Sequence, residues 1–233
     1  MTWFIFGDSH IGTFKYAAEQ GWIARPCAFL QVAGATAVGL RNPNSQTNAL
    51  EAFASALLPA KLDVTPVMQL GEVDCGFVIW WRAAKLGESV ASQLEASVDA
   101  HLAFADRLLR EGYASLVLTG ASLPTIRDGQ DWGAIANKRS EVTASLADRT
   151  DLTLRYNAMV RAGAEARNCP FIDIAPAILD PSTGTIADLY RADDPNDHHL
   201  HNARAGRLWA DALNRVDGAA RSADVQGALP HGR

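Results

Sequence analysis

Apolar positions along the chain follow two rhythms. Short continuous runs at Trp3–Phe6, Ala28–Val32, Val67–Leu70, Ser115–Leu118 and Phe171–Ile174 read as buried strands. Between them the apolar period lengthens. Leu94, Val98, Leu102, Ala105 and Leu109 fall on one helical face, which predicts an amphipathic helix over 91–111. Leu152–Ala166 predicts another, and Ile11–Glu19, Asn48–Leu58 and Ala203–Arg215 complete the helical set. Strands that are apolar on both faces and alternate with helices predict a parallel, doubly wound sheet covered on both sides. Such sheets bind ligands at the carboxyl ends of their strands. Gly7, Gly34, Gly71 and Gly120 stand at or near those ends, so chemistry is expected there, although a glycine also serves simply to end a strand.

The pattern groups residues 1–216 into one domain. Residues 121–147, with Pro124, Gly129, Trp132 and Gly133, break the period after the fourth strand and read as a substrate-facing loop or lid. Residues 217–233 are small and polar without a period, and a disordered tail is expected. Of the 233 residues, 48% are apolar and 20% charged, an ordinary globular balance. The net charge of -5 and the lack of a basic stripe argue against a nucleic-acid partner. No apolar run has the length of a membrane span. The first strand starts at Thr2, leaving no room for a leader, so a cytoplasmic protein is expected. Cys27, Cys75 and Cys169 lie in or beside strands, lack metal-ligand spacing and read as inert thiols.

Candidate chemistry begins two residues past Gly7. Ser9 sits on a sharp strand-to-helix turn, beside backbone N–H groups at a helix N-terminus, which suits a nucleophile and an oxyanion site. The alternative is a helix cap formed by Asp8 or Ser9. A serine nucleophile needs a base. His101 borders the apolar face of a long helix and reads as structural, and His231 lies in the tail. His198, His199 and His201 precede the last helix, and Asp197 is placed to orient either His199 or His201. These histidines with neighbouring aspartates also have zinc-binding chemistry, but no other cluster supplies matching ligands, and no metal site is assigned.

Gly7-Asp8-Ser9 and the late Asp197/His segment together resemble the SGNH, or GDSL-type, hydrolases. The resemblance implies a three-layer α/β/α, flavodoxin-like sandwich around a parallel five-stranded sheet, spanning residues 2–215. It implies that Ser9 is the nucleophile, that Asp197 with His201 or His199 completes a triad, and that the N–H groups of Ser9 and Gly34 form an oxyanion hole. His201 is slightly preferred because it abuts the helix cap. Two blocks depart from the family pattern. Val73 in Gly71-Glu72-Val73-Asp74 stands where the family has an oxyanion-binding Asn, and Leu200 stands at the ungapped position of the His. Asn42, Asn44 or Gln46 could replace the missing donor. Glu72 and Asp74 add negative charge near the site, for which Arg82 is the candidate partner.

The function implied is a serine esterase or deacylase acting through an acyl-enzyme, with no metal or organic cofactor. The expected partner is a small-molecule or glycan acyl ester, with Asp8, Glu72, Asp74 and Trp132 toward the substrate. Trp80, Trp81 and Trp132 could form a sugar platform, or could equally be core and rim residues. An acyltransferase with the same triad, or a degenerate glycan- or partner-binding domain, are the alternatives.

Overall fold

The computed structural model describes residues 1–129 and 142–227, without the side chains of 220–227. Its main sheet has five parallel strands in the order β2-β1-β3-β4-β5. These are β1 (Thr2–Gly7), β2 (Cys27–Gln31), β3 (Val64–Gln69), β4 (Val117–Thr119) and β5 (Phe171–Ile172). The helices are α1 (Gly12–Glu19), α2 (Ala49–Leu57), α3 (Ile79–Leu86), α4 (Val90–Arg110), α5 (Leu146–Glu165), α6 (Ala175–Ile178) and α7 (Asn202–Gly227). A small hairpin, β6 (Leu179–Asp180) with β7 (Thr185–Ile186), is added after α6.

The period-2 alternation of the strands divides the molecule into three layers. Trp3, Ile5, Val67, Val117 and Ile172 face one core, shared with Phe14 of α1 and Trp209 of α7. Phe6, Met68 and Leu118 face the other, shared with Phe53 of α2, Phe104 of α4 and Tyr156 of α5. Phe14 stacks on Trp209 with centroids 4.7 Å apart, and Phe6 meets Phe53 edge-on at 5.0 Å. Fully burying one such side chain contributes about 1.5–3 kcal/mol. Helix propensities differ by less than about 1 kcal/mol per ordinary residue. Packing on the sheet therefore holds the short helices in place more than local preference does.

Three expectations change. The second long helix starts at Leu146 rather than Leu152, because Ser145 and Asp148 form a reciprocal capping box ahead of the apolar stripe. Helix α3 was not legible, since it is only two turns long and continues from a single π-turn, Asp74–Val78, with no side-chain cap to mark its start. The last helix runs past Arg215 to Gly227, so most of the expected tail is helical backbone. There Val216 packs on the core and the buried Asp217 pairs with Arg25. Among the described residues no helix is long and apolar enough to cross a membrane.

Candidate active site

The site is assembled from three strand ends and one late loop. At the end of β1, a Cβ on Gly7 would collide with the carbonyl of Gln69 on β3, so only glycine fits. The following turn is capped by Asp8, whose Oδ1 accepts the His10 N–H at 2.8 Å and lies 3.1 Å from His10 Nδ1. Asp8, expected toward the substrate, is buried, with Oδ1 engaged in this cap and Oδ2 without a hydrogen-bond partner among the described residues. The cap leaves the hydroxyl of Ser9, half-buried at the start of the turn, available for chemistry. His10 is buried, with Nε2 3.8 Å from Glu72 Oε2.

At the end of β3, Gly71 adopts φ 120°, and a Cβ there would run into the ring of Tyr156. This turn sends Glu72 and Asp74 inward, and both are buried. The Asp74 carboxylate accepts the N–H groups of Ala37 and Val38 at 2.7 and 3.0 Å, tying the loop after β2 to the π-turn. Burial pushes its carboxyl up to about 6, against the pull of those two hydrogen bonds. Asp74 is thus a clamp within the protein rather than a substrate ligand. Arg82, the expected partner of the two acids, instead donates to Gln93 Oε1 at 2.7 Å. Trp80 donates to the Cys75 carbonyl at 2.7 Å and packs on the core, so it is not part of a platform. Trp132 lies outside the described residues.

Gly34, exposed and at φ 71°, opens onto a cleft of about 770 Å³. Asn42, Asn44, Gln46, Trp81 and Arg82 line the same cleft. The three amide side chains considered as substitutes for the missing Asn therefore share a wall with Gly34.

The late loop distinguishes between the two histidines. His199 donates its backbone N–H to Asp197 Oδ1 at 2.9 Å, and its Nδ1 lies 2.6 Å from the same oxygen. His201 turns the other way: its Nδ1 accepts the Arg204 N–H at the start of α7, and its Nε2 lies 3.4 Å from Asp193. Asp197 thus engages His199, not the slightly preferred His201. Burial alone would raise the Asp197 carboxyl, but the hydrogen bonds and charge of His199 outweigh it and hold the carboxyl below its usual range. Burial, with the nearby His10, lowers His199 more than Asp197 raises it, which favours a neutral imidazole. With Nδ1–H held by Asp197, the lone pair is on Nε2, which is buried without a hydrogen-bond partner among the described residues. No hydrogen bond therefore joins it to the Ser9 hydroxyl in this state. The His199 ring nevertheless lies 4.8 Å from the ring of His10, the neighbour of Ser9, and 4.1 Å from that of His198.

No protein-family model matches the chain, and no curated protein sequence matches it. Solved structures do. A GDSL-like lipase from Bacteroides thetaiotaomicron is 14% identical with a TM-score of 0.58, the match covering 94% of this chain and 88% of that one. A Slackia heliotrinireducens protein assigned as an SGNH hydrolase is 20% identical with a TM-score of 0.54, covering 92% and 97%. An acetyl xylan esterase is 14% identical with a TM-score of 0.55, covering 93% and 99%. The chain has the SGNH hydrolase fold.

Within the SGNH fold, two supports of the late loop were missed from sequence. Thr125 donates its hydroxyl to the His198 carbonyl, and Arg191 donates to the Thr125 carbonyl. The start of the expected lid, residues 121–126, is therefore buried and braces the histidine loop, while 130–141 lie outside the described residues. The partners in the first contact are 73 positions apart, and no local pattern marks them. Asn157 was more legible. It shares a buried helix face with Thr153, Val160 and Ala164, and its amide clamps both the N–H and the carbonyl of Ala121 at 2.7 and 3.2 Å. His101 is buried, with Nδ1 2.8 Å from the Tyr156 hydroxyl, well away from the late loop in its bonding.

Proposed function

We propose that this chain is a serine esterase or deacylase acting through Ser9, His199 and Asp197. The observation that carries the reading is the Asp197–His199 pair at 2.6 Å, which presents a neutral Nε2 beside the turn bearing Ser9. Ser9 Oγ attacks the ester carbonyl carbon as His199 Nε2 takes the hydroxyl proton. The same proton passes to the departing alcohol oxygen when the ester C–O bond breaks. Water, giving a proton to His199, then cleaves the acyl–Ser9 bond, and Ser9 recovers its proton. The missing Ser9–His199 hydrogen bond is compatible with this route, because catalytic contacts are often loose without substrate.

The N–H groups of Ser9 and Gly34 are the oxyanion donors in this reading. Among the described residues neither donates to a turn or loop carbonyl. With Val73 in place of an amide, a third donor comes from the Asn42–Gln46 wall or is forgone, and losing one such donor costs about a hundred- to a thousandfold in rate. The cleft next to Gly34, lined by amides, one tryptophan and two arginines, suits the acyl ester of a hydroxyl-rich alcohol such as a sugar.

A fluorophosphonate probe tests the nucleophile. The native protein is expected to be labelled, and Ser9→Ala to lose both labelling and p-nitrophenyl acetate hydrolysis, by roughly a thousandfold or more. A folded, unlabelled, inactive native protein would refute the esterase and favour a binding domain.

A further inference from the structure

We propose that His10, His198 and His199 form a reversible site for a divalent transition-metal ion, zinc above all, and that filling it switches the hydrolase off. One nitrogen from each ring can be chosen so that all three lie within 4.8 Å of one another. The rings are drawn from opposite ends of the chain, His10 from the turn after β1 and the other two from the loop before α7. Their centroids are 4.1, 4.8 and 5.8 Å apart.

Two features distinguish this cluster from a chance meeting of imidazoles. First, two of the rings already have the outer support of metal-bound histidines. Asp8 Oδ1 sits 3.1 Å from His10 Nδ1, and Asp197 Oδ1 sits 2.6 Å from His199 Nδ1. A carboxylate on Nδ1 fixes the tautomer, raises the basicity of the ring and directs the Nε2 lone pair outward. Second, Glu72 Oε2 stands 3.8 Å from His10 Nε2, within reach as a fourth ligand or as the acceptor for a metal-bound water. Three neutral imidazoles with an oxygen donor suit zinc in a tetrahedral site. At zinc–nitrogen distances of about 2.1 Å the nitrogens of such a site lie about 3.4 Å apart. Closing from the present limit of 4.8 Å shortens the widest separation by about 1.4 Å, a movement His198 and His199 can share because both are only half-buried on the loop.

The consequence for activity rests on the triad proposed above. His199 has one lone pair to offer at Nε2, and it can hold the Ser9 proton or a metal ion, but not both. Occupancy and catalysis therefore exclude each other, and no electron or bond rearrangement is involved beyond ligand exchange with water.

Chelator-treated protein titrated with Co²⁺ and Zn²⁺ tests the site. One equivalent of Co²⁺ is expected to give the intense visible absorption of a low-coordinate ion, and Zn²⁺ to displace it. Zinc should inhibit p-nitrophenyl acetate hydrolysis with the same midpoint, and EDTA should reverse it. His198→Asn should bind Co²⁺ at least about tenfold more weakly and hydrolyse the ester in chelator as the native protein does, now resistant to zinc. If that variant does not fold, His10→Gln, read by Co²⁺ binding alone, is expected to show the same loss. Native protein that binds neither ion at stoichiometric concentrations overturns the site, as do variants that bind as the native protein does. Stoichiometric Co²⁺ binding by a protein with no hydrolysis before or after EDTA would keep the site and refute the esterase reading.

Discussion

Asp197 has a histidine two positions on and another four positions on, and the loop bonds only the nearer one. An Asp-x-His turn lets one oxygen accept both the backbone N–H and Nδ1 of His199, whereas His201 is committed to the start of α7. His199→Ala is therefore expected to lower kcat/KM for an aryl ester by roughly a thousandfold or more, and His201→Ala to leave it within a few-fold. Equal losses in both would contradict the pairing. The lowered proton affinity of His199 sets a second expectation. The acid limb of kcat/KM against pH, measured in chelator, should have its midpoint below about 6.5, the ordinary histidine value. The sequence narrowed the proposed base to this loop, but the choice between 199 and 201 depended on side-chain direction, which residue spacing does not encode.

At the scale of elements, the π-turn after β3 and the loop after β2 are joined by one buried carboxylate. Asp74 satisfies two neighbouring N–H groups at Ala37 and Val38, with Gly34 on the same loop. An asparagine there keeps one acceptor but turns an NH₂ donor toward the other N–H. Asp74→Asn should cost about 1–3 kcal/mol, a fall of roughly 2–12 °C in Tm by calorimetry. It should also raise KM more than it lowers kcat, since the cleft wall moves while the triad stays. An unchanged Tm would refute the clamp. The sequence marked Asp74 as chemically charged and close to the site. It gave no sign that the charge is spent on the protein's own backbone, because the accepting partners are 36 and 37 positions away.

Across the whole molecule, two buried groups away from the proposed triad make stability depend on pH with opposite signs. Burial lowers His101 to about 3, far below its unfolded value of about 6.5. The unfolded chain takes that proton first, so the His101 contribution is complete above about 6.5 and is lost as pH falls toward 3. Asp74 is raised to about 6 from an unfolded value near 3.9. Here the folded protein takes the proton first, so acidification from about 6 to 4 adds stability. Between pH 6 and 4 the two trends largely offset each other. Removing one exposes the other: Asp74→Asn should lose stability with acid more steeply than the native protein, by up to ~1.4 kcal/mol per pH unit. His101→Gln should lose it less steeply. Urea unfolding at pH 6, 5 and 4 reads both differences, and parallel curves for all three proteins would contradict the assignment.

The sequence by itself determined the strand–helix alternation and the doubly wound class, and it pointed to the strand ends as the place of the proposed chemistry. Those properties follow from hydrophobic period and from glycine at sharp turns, both of which are local. Helix α3 and the length of α7 escaped because α3 is only two turns long and continues without a cap from the π-turn, and the small polar residues of 217–227 resemble a tail; α3 is held by Ile79, buried in the core it shares with α4. The tertiary structure alone decided which acids face inward, which histidine Asp197 holds, and that His10 meets His198 and His199 at all. Each of these depends on contacts between distant segments, whose energies come from burial and hydrogen-bond direction. In the opening Gly7-Asp8-Ser9-His10, Asp8 is consequently a cap, Ser9 the proposed nucleophile, and His10 one wall of a three-imidazole cluster.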